Sequence, residues 1–218
     1  MHGIQRLIQA GEGQFLEFKK KPDHPDKIVR EMVAFANSGG GTLLIGVDDS
    51  GKITGLAHPE EEVYVMEAAI ARHASPEIDY KLESVPVGSG RWVLKYQILP
   101  GSDKPYYWLE SPGTGKGIVY VRCGEASIRA SFQMYRILKS EKSAKPLKMG
   151  DFELKLFSML SSGVRLNIQE ISLGIGIAKR KVSDRLVNLV LQGVLTIEPG
   201  MDGDIYSLSD AFSPEAFC

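Results

Sequence analysis

Cysteine is nearly absent from this 218-residue chain. Cys123 and Cys218 are too few for a disulfide framework or for a zinc-binding set of thiolates. No apolar run approaches the roughly 20 residues that a membrane span requires. The start, MHGIQRLIQAGEG, has no basic stretch followed by an apolar one, as a secretory signal would. The expectation is a cytoplasmic protein with no membrane attachment. Excess charge is lacking too: 26 basic and 27 acidic residues leave a net of −1, which taken whole points to no polyanion partner. What is present is ordinary for a globular protein, with 43% apolar and 24% charged residues. The length allows one large or two small domains, each able to bury a core.

Charge is unevenly spread. Residues 1–128 carry a net of −3, residues 129–192 a net of +7, and residues 193–218 a net of −5. A basic segment between acidic neighbours hints at a partner, because local fields rather than totals steer polyanions.

The chain changes character twice. IQRLIQAG reads as a short helix ended by Gly11, and QFLEFKKK as a strand. In PDHPDKIVREMVAFANS, Pro25 and Asp26 suit a first helical turn, with Ile28, Met32 and Phe35 at helical spacing. TLLIGV is a buried-strand run, and DDSGKITG a turn into a short strand, together a hairpin. A helix is predicted over 60–73. YKLESVPV and RWVLKYQIL, split by GSG, form a second hairpin, GIVYVRCG is another strand, and 131–142 is helical. The polar, basic KSEKSAKPLKMG, 139–150, is the expected linker between domains spanning 1–138 and 151–218. Beyond it, FELKLFSML, NIQEISLGIGI and AKRKVSDRLVNLVLQG are three helices, and VLTIEPGMDGDIYSLS is a hairpin. That order describes a winged helix-turn-helix.

A phosphate-binding P-loop is tested and rejected. The motif needs G-x-x-x-x-G-K-[ST] between a strand and a helix. NSGGGTLL connects a helix to a strand, the reverse order, and has no lysine. SPGTGKGIV offers Gly115 and Lys116, but a glycine follows and the segment leads into a strand. ATP is not an expected ligand.

The carboxylates are the better lead. Glu12 and Glu17 flank the QFLEFK strand and Asp48 ends TLLIGV. On neighbouring strands the three could converge, and carboxylate oxygens suit Mg²⁺ or Mn²⁺, which can activate water against a phosphodiester. Lys19, two residues beyond Glu17, would share its face and could touch a phosphate. The plainer alternative puts Glu12 in a turn, makes Asp48 the opener of an Asx turn, and leaves Lys19 as surface charge.

GEGQFLEFKKK, AFANSGGGTLLIGVDDSGKITG and VYVRCGEAS together resemble the Schlafen/AlbA-like domain of many bacterial proteins described as transcriptional regulators. The resemblance covers about residues 1–135, in the family's order and spacing. It implies an α/β (α+β) domain with a mixed sheet and flanking helices. In animal Schlafen proteins the domain can act as a metal-dependent endoribonuclease with three acidic residues, whose motif positions correspond here to Glu12, Glu17 and Asp48. It also implies that ANSGGG ends a helix and turns tightly into the strand that leads to Asp48, glycine serving the positive-φ positions.

In the last segment the third predicted helix is the recognition helix, entering the major groove by its N-terminal part. Lys179, Arg180 and Lys181 stand there although the helix dipole disfavours cations by a few tenths of a kcal/mol, and Arg185 extends the face one turn on. Phosphate and base contact is the natural reason. A protein-docking helix with a solvated basic face is the alternative. The hairpin tip, PGMDGD, argues against a DNA contact of its own, since Asp202 and Asp204 would repel phosphate. The reading is a homodimeric, DNA-binding transcriptional regulator contacting DNA rather than RNA. A divalent-metal nuclease is the alternative, and the aromatic YYWL, 106–109, is a surface that dimerisation could cover unless its own domain packs it.

Overall fold

Ile4, Leu7 and Ile8 recur at helical spacing and form one face of α1 (His2–Ala10), which Gly11 closes with φ +75°. The chain continues through β1 (Leu16–Lys19), α2 (Pro25–Asn37), β2 (Gly41–Ile45), α3 (Pro59–His73) and β3 (Ala74–Ser75). It then runs through β4 (Tyr80–Gly88), β5 (Arg91–Ile98), β6 (Tyr107–Trp108), β7 (Tyr120–Cys123) and β8 (Ala126–Arg129). This computed structural model describes residues 2–111, 113, 117–140 and 149–212, and the chain divides into compact units at Met1–Arg129 and Ala130–Cys218. Among the described residues no helix is long and apolar enough to cross a membrane.

The first unit is built on a mixed sheet in the order β1-β2-β5-β4, with β1 and β2 parallel and the other pairs antiparallel. Side chains on a strand alternate between faces, so β2 sends Leu43 and Ile45 to one side and Leu44 to the other. The first side receives α2 and α3 through Met32, Val33, Phe35, Met66 and Ile70. The second receives α1 through Ile4, which meets Leu16, Phe18, Leu44 and Val93. Burying each such side chain contributes about 1.5–3 kcal/mol, and the two clusters fix the sheet between helices. The aromatic run at 106–109 packs inward: Tyr106 and Trp108 are buried, and the Trp108 indole N–H donates to the Asp26 carbonyl at 2.8 Å.

The second unit begins ahead of the predicted boundary. Helix α4 (Phe132–Ser140), placed by sequence at the end of the first domain, belongs with Ala130–Cys218. Of the expected linker 139–150, residues 141–148 lie outside the described residues. There follow α5 (Asp151–Leu160), a 3₁₀ turn (Ser161–Gly163), β9 (Leu166–Asn167), α6 (Ile168–Ile175), α7 (Lys179–Leu191), β10 (Leu195–Glu198) and β11 (Ile205–Leu208). The strands form an antiparallel sheet in the order β10-β11-β9. Asn167 and Glu170 make a reciprocal capping box at the start of α6, and Gly176, at φ +79°, ends it. Leu156, Ile171, Val182, Leu186, Leu195 and Tyr206 form this unit's own core.

Candidate functional site

Strand β1 lies at the sheet edge. The amides of Thr42 and Gly46 each donate at 2.8 Å to the carbonyls of Phe15 and Lys19, so the odd-numbered residues of this strand bond towards β2. The Phe18 amide therefore faces the free edge and donates a hydrogen bond to the Glu12 Oε1 at 2.7 Å. Burial pushes the Glu12 carboxyl above the ordinary carboxylate range; the Phe18 N–H and Lys19 pull the other way, while Glu17 and Asp49 add to the rise. Glu17 is buried on the face that meets α2, and its Oε2 accepts from the Arg122 guanidinium at 3.0 Å while its Oε1 pairs with Lys19. Lys19 also donates to the Phe18 carbonyl at 2.9 Å. Asp48 stands three residues past β2, where its Oδ1 accepts from the Ser50 hydroxyl at 2.6 Å and from the Ser50 and Lys52 amides at 3.0 Å each. The Ser50 hydroxyl first, then the Lys52 amide, holds the Asp48 carboxyl below the usual range.

Glu12, Glu17 and Lys19 thus share a neighbourhood at the edge of β1, and Asp48 is turned into its own Asx turn. Among the described residues no group of three His, Cys, Asp or Glu side chains is arranged to hold a metal ion. For the expected Mg²⁺ or Mn²⁺ site of Glu12, Glu17 and Asp48, the geometry is that both Glu17 oxygens face cations of the protein itself, so a divalent ion beside them would meet positive charge. Gly115 and Lys116, weighed for a phosphate loop, lie outside the described residues.

The residue that sequence reasoning missed is Arg122, fully buried in β7. Its Nη1 donates to Glu17 at 3.0 Å, to Glu31 of α2 at 3.1 Å and to the Ser127 hydroxyl at 3.1 Å. Its Nη2 donates to the carbonyls of Gly13 at 2.7 Å, Glu125 at 3.0 Å and Gly124 at 3.3 Å. The guanidinium also lies over the Phe35 ring, 4.6 Å from its centroid. One side chain therefore ties together GEGQFLEFK, α2 and VYVRCGEAS. The signal was available: an arginine inside the apolar run GIVYVRCG must find carboxylates, because an unpaired buried charge is prohibitively costly.

The ANSGGG segment has a matching task. The Asn37 carboxamide accepts from the Tyr106 amide at 2.7 Å and donates to the Tyr106 and Tyr120 carbonyls at 2.8 and 3.0 Å. The Ser38 hydroxyl accepts from the Arg122 amide at 3.0 Å. Gly40 sits at φ +77°, and a Cβ there would stand 2.8 Å from the Ile98 carbonyl oxygen; at Gly41 it would stand 2.2 Å from the Phe35 ring. The glycines allow the turn from α2 into β2 and the approach of that turn to β5.

In the second unit the predicted cations lie on α7 with different fates. Lys179 donates to Gln169 at 2.7 Å. Arg185 donates to both oxygens of the buried Glu153 at 2.8 and 3.0 Å and stacks on Phe152, 4.9 Å from its centroid. Arg180 and Lys181 are exposed and hold no ion pair among the described residues. Helix α4 flanks α7, with Gln133 donating to the Ser183 hydroxyl at 3.0 Å and Arg136 to Asp184 at 2.6 Å. Asp202 is exposed at the hairpin tip as expected, but Asp204 is not: it is buried and accepts a hydrogen bond from the Ser131 hydroxyl, which also caps α4 at the Met134 amide.

Burial pushes the Asp204 carboxyl above the ordinary range, with the Ser131 hydrogen bond opposing it. A raised folded-state value means the folded form takes up the proton before the unfolded form does, so this group favours folding more as pH falls through the raised value. Asp204→Asn keeps an acceptor for Ser131 and removes the charge. The second unit of the variant should melt at or above the parental temperature at neutral pH. The gap should close as pH approaches the unfolded carboxyl value of about 3.9. A variant that melts lower at neutral pH would show that the charge itself is wanted there.

Comparison with solved structures finds the crystal structure of the DIP2311 protein from Corynebacterium diphtheriae, 19% identical, with a TM-score of 0.43. It matches over 61% of this chain, which spans only 25% of that one. A second match is the solution structure of the N-terminal domain of a Nitrosomonas europaea protein, named as related to the ATP-dependent DNA helicase RecG. It is 25% identical, with a TM-score of 0.41, over 59% of this chain and 94% of that domain. No curated protein matches. The family model described as Schlafen, AlbA_2 matches residues 12–131, which hold Glu12, Glu17, Asn37, the glycine turn and Arg122. That match takes in more than half of the sequence, and the chain belongs to the Schlafen AlbA_2 family.

Proposed function

We propose that the protein is a DNA-binding transcriptional regulator whose second unit is a winged helix presenting α7 to duplex DNA. Helices α5, α6 and α7 followed by the β10–β11 hairpin stand in the order of that motif. The observation that carries the reading is the exposed, unneutralised pair Arg180 and Lys181 at the start of α7, inside the segment of net charge +7. Val182, Leu186 and Leu189 turn inward, so Lys181 and Arg185, four residues apart, share the outward face. Arg185 is already shared with Glu153 and serves the helix packing first. A homodimer matches the paired half-sites such helices usually read.

Gel shifts of the full chain on duplex DNA and on RNA, across a series of salt concentrations, test this. Duplex binding should weaken steeply with salt, because each phosphate contact releases counterions. A salt-independent affinity would make α7 a protein-docking surface instead. The metal-dependent nuclease is the weaker reading, since Glu17 would have to exchange Arg122 for an ion. RNA cleavage in Mn²⁺, abolished by EDTA and by Glu12→Gln, would restore it.

A further inference from the structure

A cleft of about 410 Å³ opens between α4 and the start of α7, within the second unit. Its volume falls in the range of small-molecule sites, about 300–1,000 Å³. Its charge is one-sided. Arg136, Lys179 and Arg180 line it against a single carboxylate, Asp184, and that carboxylate is already paired with Arg136 at 2.6 Å. The partner of Lys179 is the neutral Gln169, so two positive charges have no anion to answer them among the described residues.

The cleft also holds an aromatic ring with no packing role. Phe132 is 68% exposed, while Met134, Ile137 and Leu138 bury the inner face of α4. The Arg136 guanidinium lies 5.6 Å from the Phe132 ring centroid, which keeps the ring beside the cations and leaves surface on it open. Gln133 and Ser183, bonded to one another, hold the two helices together along the same cleft. An exposed aromatic plane beside surplus cations suits a ligand that is flat and apolar at one end and anionic at the other.

We propose that this cleft binds a nucleotide, its base stacked on Phe132 and its phosphate held by Lys179 and Arg180. This goes beyond the duplex reading, because a base inside a duplex is already stacked and cannot offer its face to Phe132. The nucleotide is therefore either an unpaired residue of a single strand or a free mononucleotide. The cleft shares Arg180 with the proposed duplex face; Phe132 and Lys179 belong to the cleft, and Lys181 to the duplex face alone.

Three labelled probes test this on the full chain: a short oligodeoxyadenylate, the same strand annealed to its complement, and AMP. Phe132→Ala should weaken single-strand or AMP binding about tenfold, within the range that stacking of one base on an aromatic supplies. Phe132→Trp should preserve it, and duplex binding should be unchanged in both. Lys181→Ala should show the converse pattern. Phe132-sensitive binding of AMP identifies a free nucleotide as the ligand, and Phe132-sensitive binding of the strand alone identifies an unpaired nucleotide of nucleic acid. The proposal is overturned if neither probe binds the parent, or if Phe132→Ala leaves both affinities unchanged. Duplex binding that falls in Lys181→Ala while Phe132→Ala has no effect on any probe removes the cleft and keeps the duplex reading. AMP binding sensitive to Phe132 in a parent that ignores duplex does the reverse.

Discussion

Arg122→Met should cost the first unit about 3–5 kcal/mol, the penalty for breaking a buried ion network from one side. Whole domains are stable by only about 5–15 kcal/mol, so the variant is expected at the edge of unfolding. Methionine fills much of the space but leaves Glu17 and Glu31 buried, and it leaves the Gly13 carbonyl only the Leu16 amide at 3.5 Å in place of the Arg122 donor at 2.7 Å. Lys19 still pairs with Glu17 and Arg30 with Glu31, which places the loss nearer the lower figure. Urea denaturation measures it. The triple variant Arg122→Met, Glu17→Gln, Glu31→Gln should recover a good part of the loss, because no charge then remains buried without a counterion. A single variant that loses under about 1 kcal/mol, within the range of an exposed ion pair, would mean that Arg122 does not hold the motifs together.

Replacing Lys179, Arg180 and Lys181 together with alanine should lower duplex DNA affinity by about 30-fold near 0.15 M salt, as expected for two lost phosphate contacts. Two rather than three is the expectation because Lys179 lines the cleft beside Gln169, whereas Arg180 and Lys181 carry the proposed duplex face. The slope of log K against log salt should fall by about 1.8, or roughly 0.9 per contact. The helix itself should survive, since Val182, Leu186 and Leu189 keep their core positions. Its stability should rise slightly, alanine being the better helix former and three charges leaving the positive end of the dipole. Lys139 at the end of α4 is the control for general basicity. An unchanged affinity and slope in the triple variant would remove α7 from the DNA interface.

The pattern of elements was open to sequence reasoning wherever the cause was local. The GSG between YKLESVPV and RWVLKYQIL and the alternation around it marked β4 and β5. Pro25 and the spacing of Ile28, Met32 and Phe35 marked α2. What escaped was set by partners distant in the chain. The three motifs were visible as a set, but the reason they travel together is Arg122, which meets Glu17 across 105 positions. The apolar positions of α4 announced a helix without naming the neighbour that would bury them. PGMDGD read locally as an exposed tip, and only the Ser131 hydroxyl from far upstream draws Asp204 inside. Asp48 is occupied by the Ser50 and Lys52 amides of its own turn, and Glu12 by the Phe18 amide on the edge of β1.

The separation between Glu17 and Arg122 has a consequence on the ribosome. At roughly 5–20 residues per second, Glu17 leaves the exit tunnel several seconds before its arginine is synthesised. Once β2 has followed, α1, β1, α2 and β2 are all available, yet the carboxylates of Glu17 and Glu31 have only Lys19 and Arg30 to pair with. The nascent chain can therefore assemble its early sheet but cannot seal it. The last hairpin of the first unit to emerge, β7–β8, brings the cation that lets those carboxylates leave water, so completion of that unit is timed by the end of its own translation.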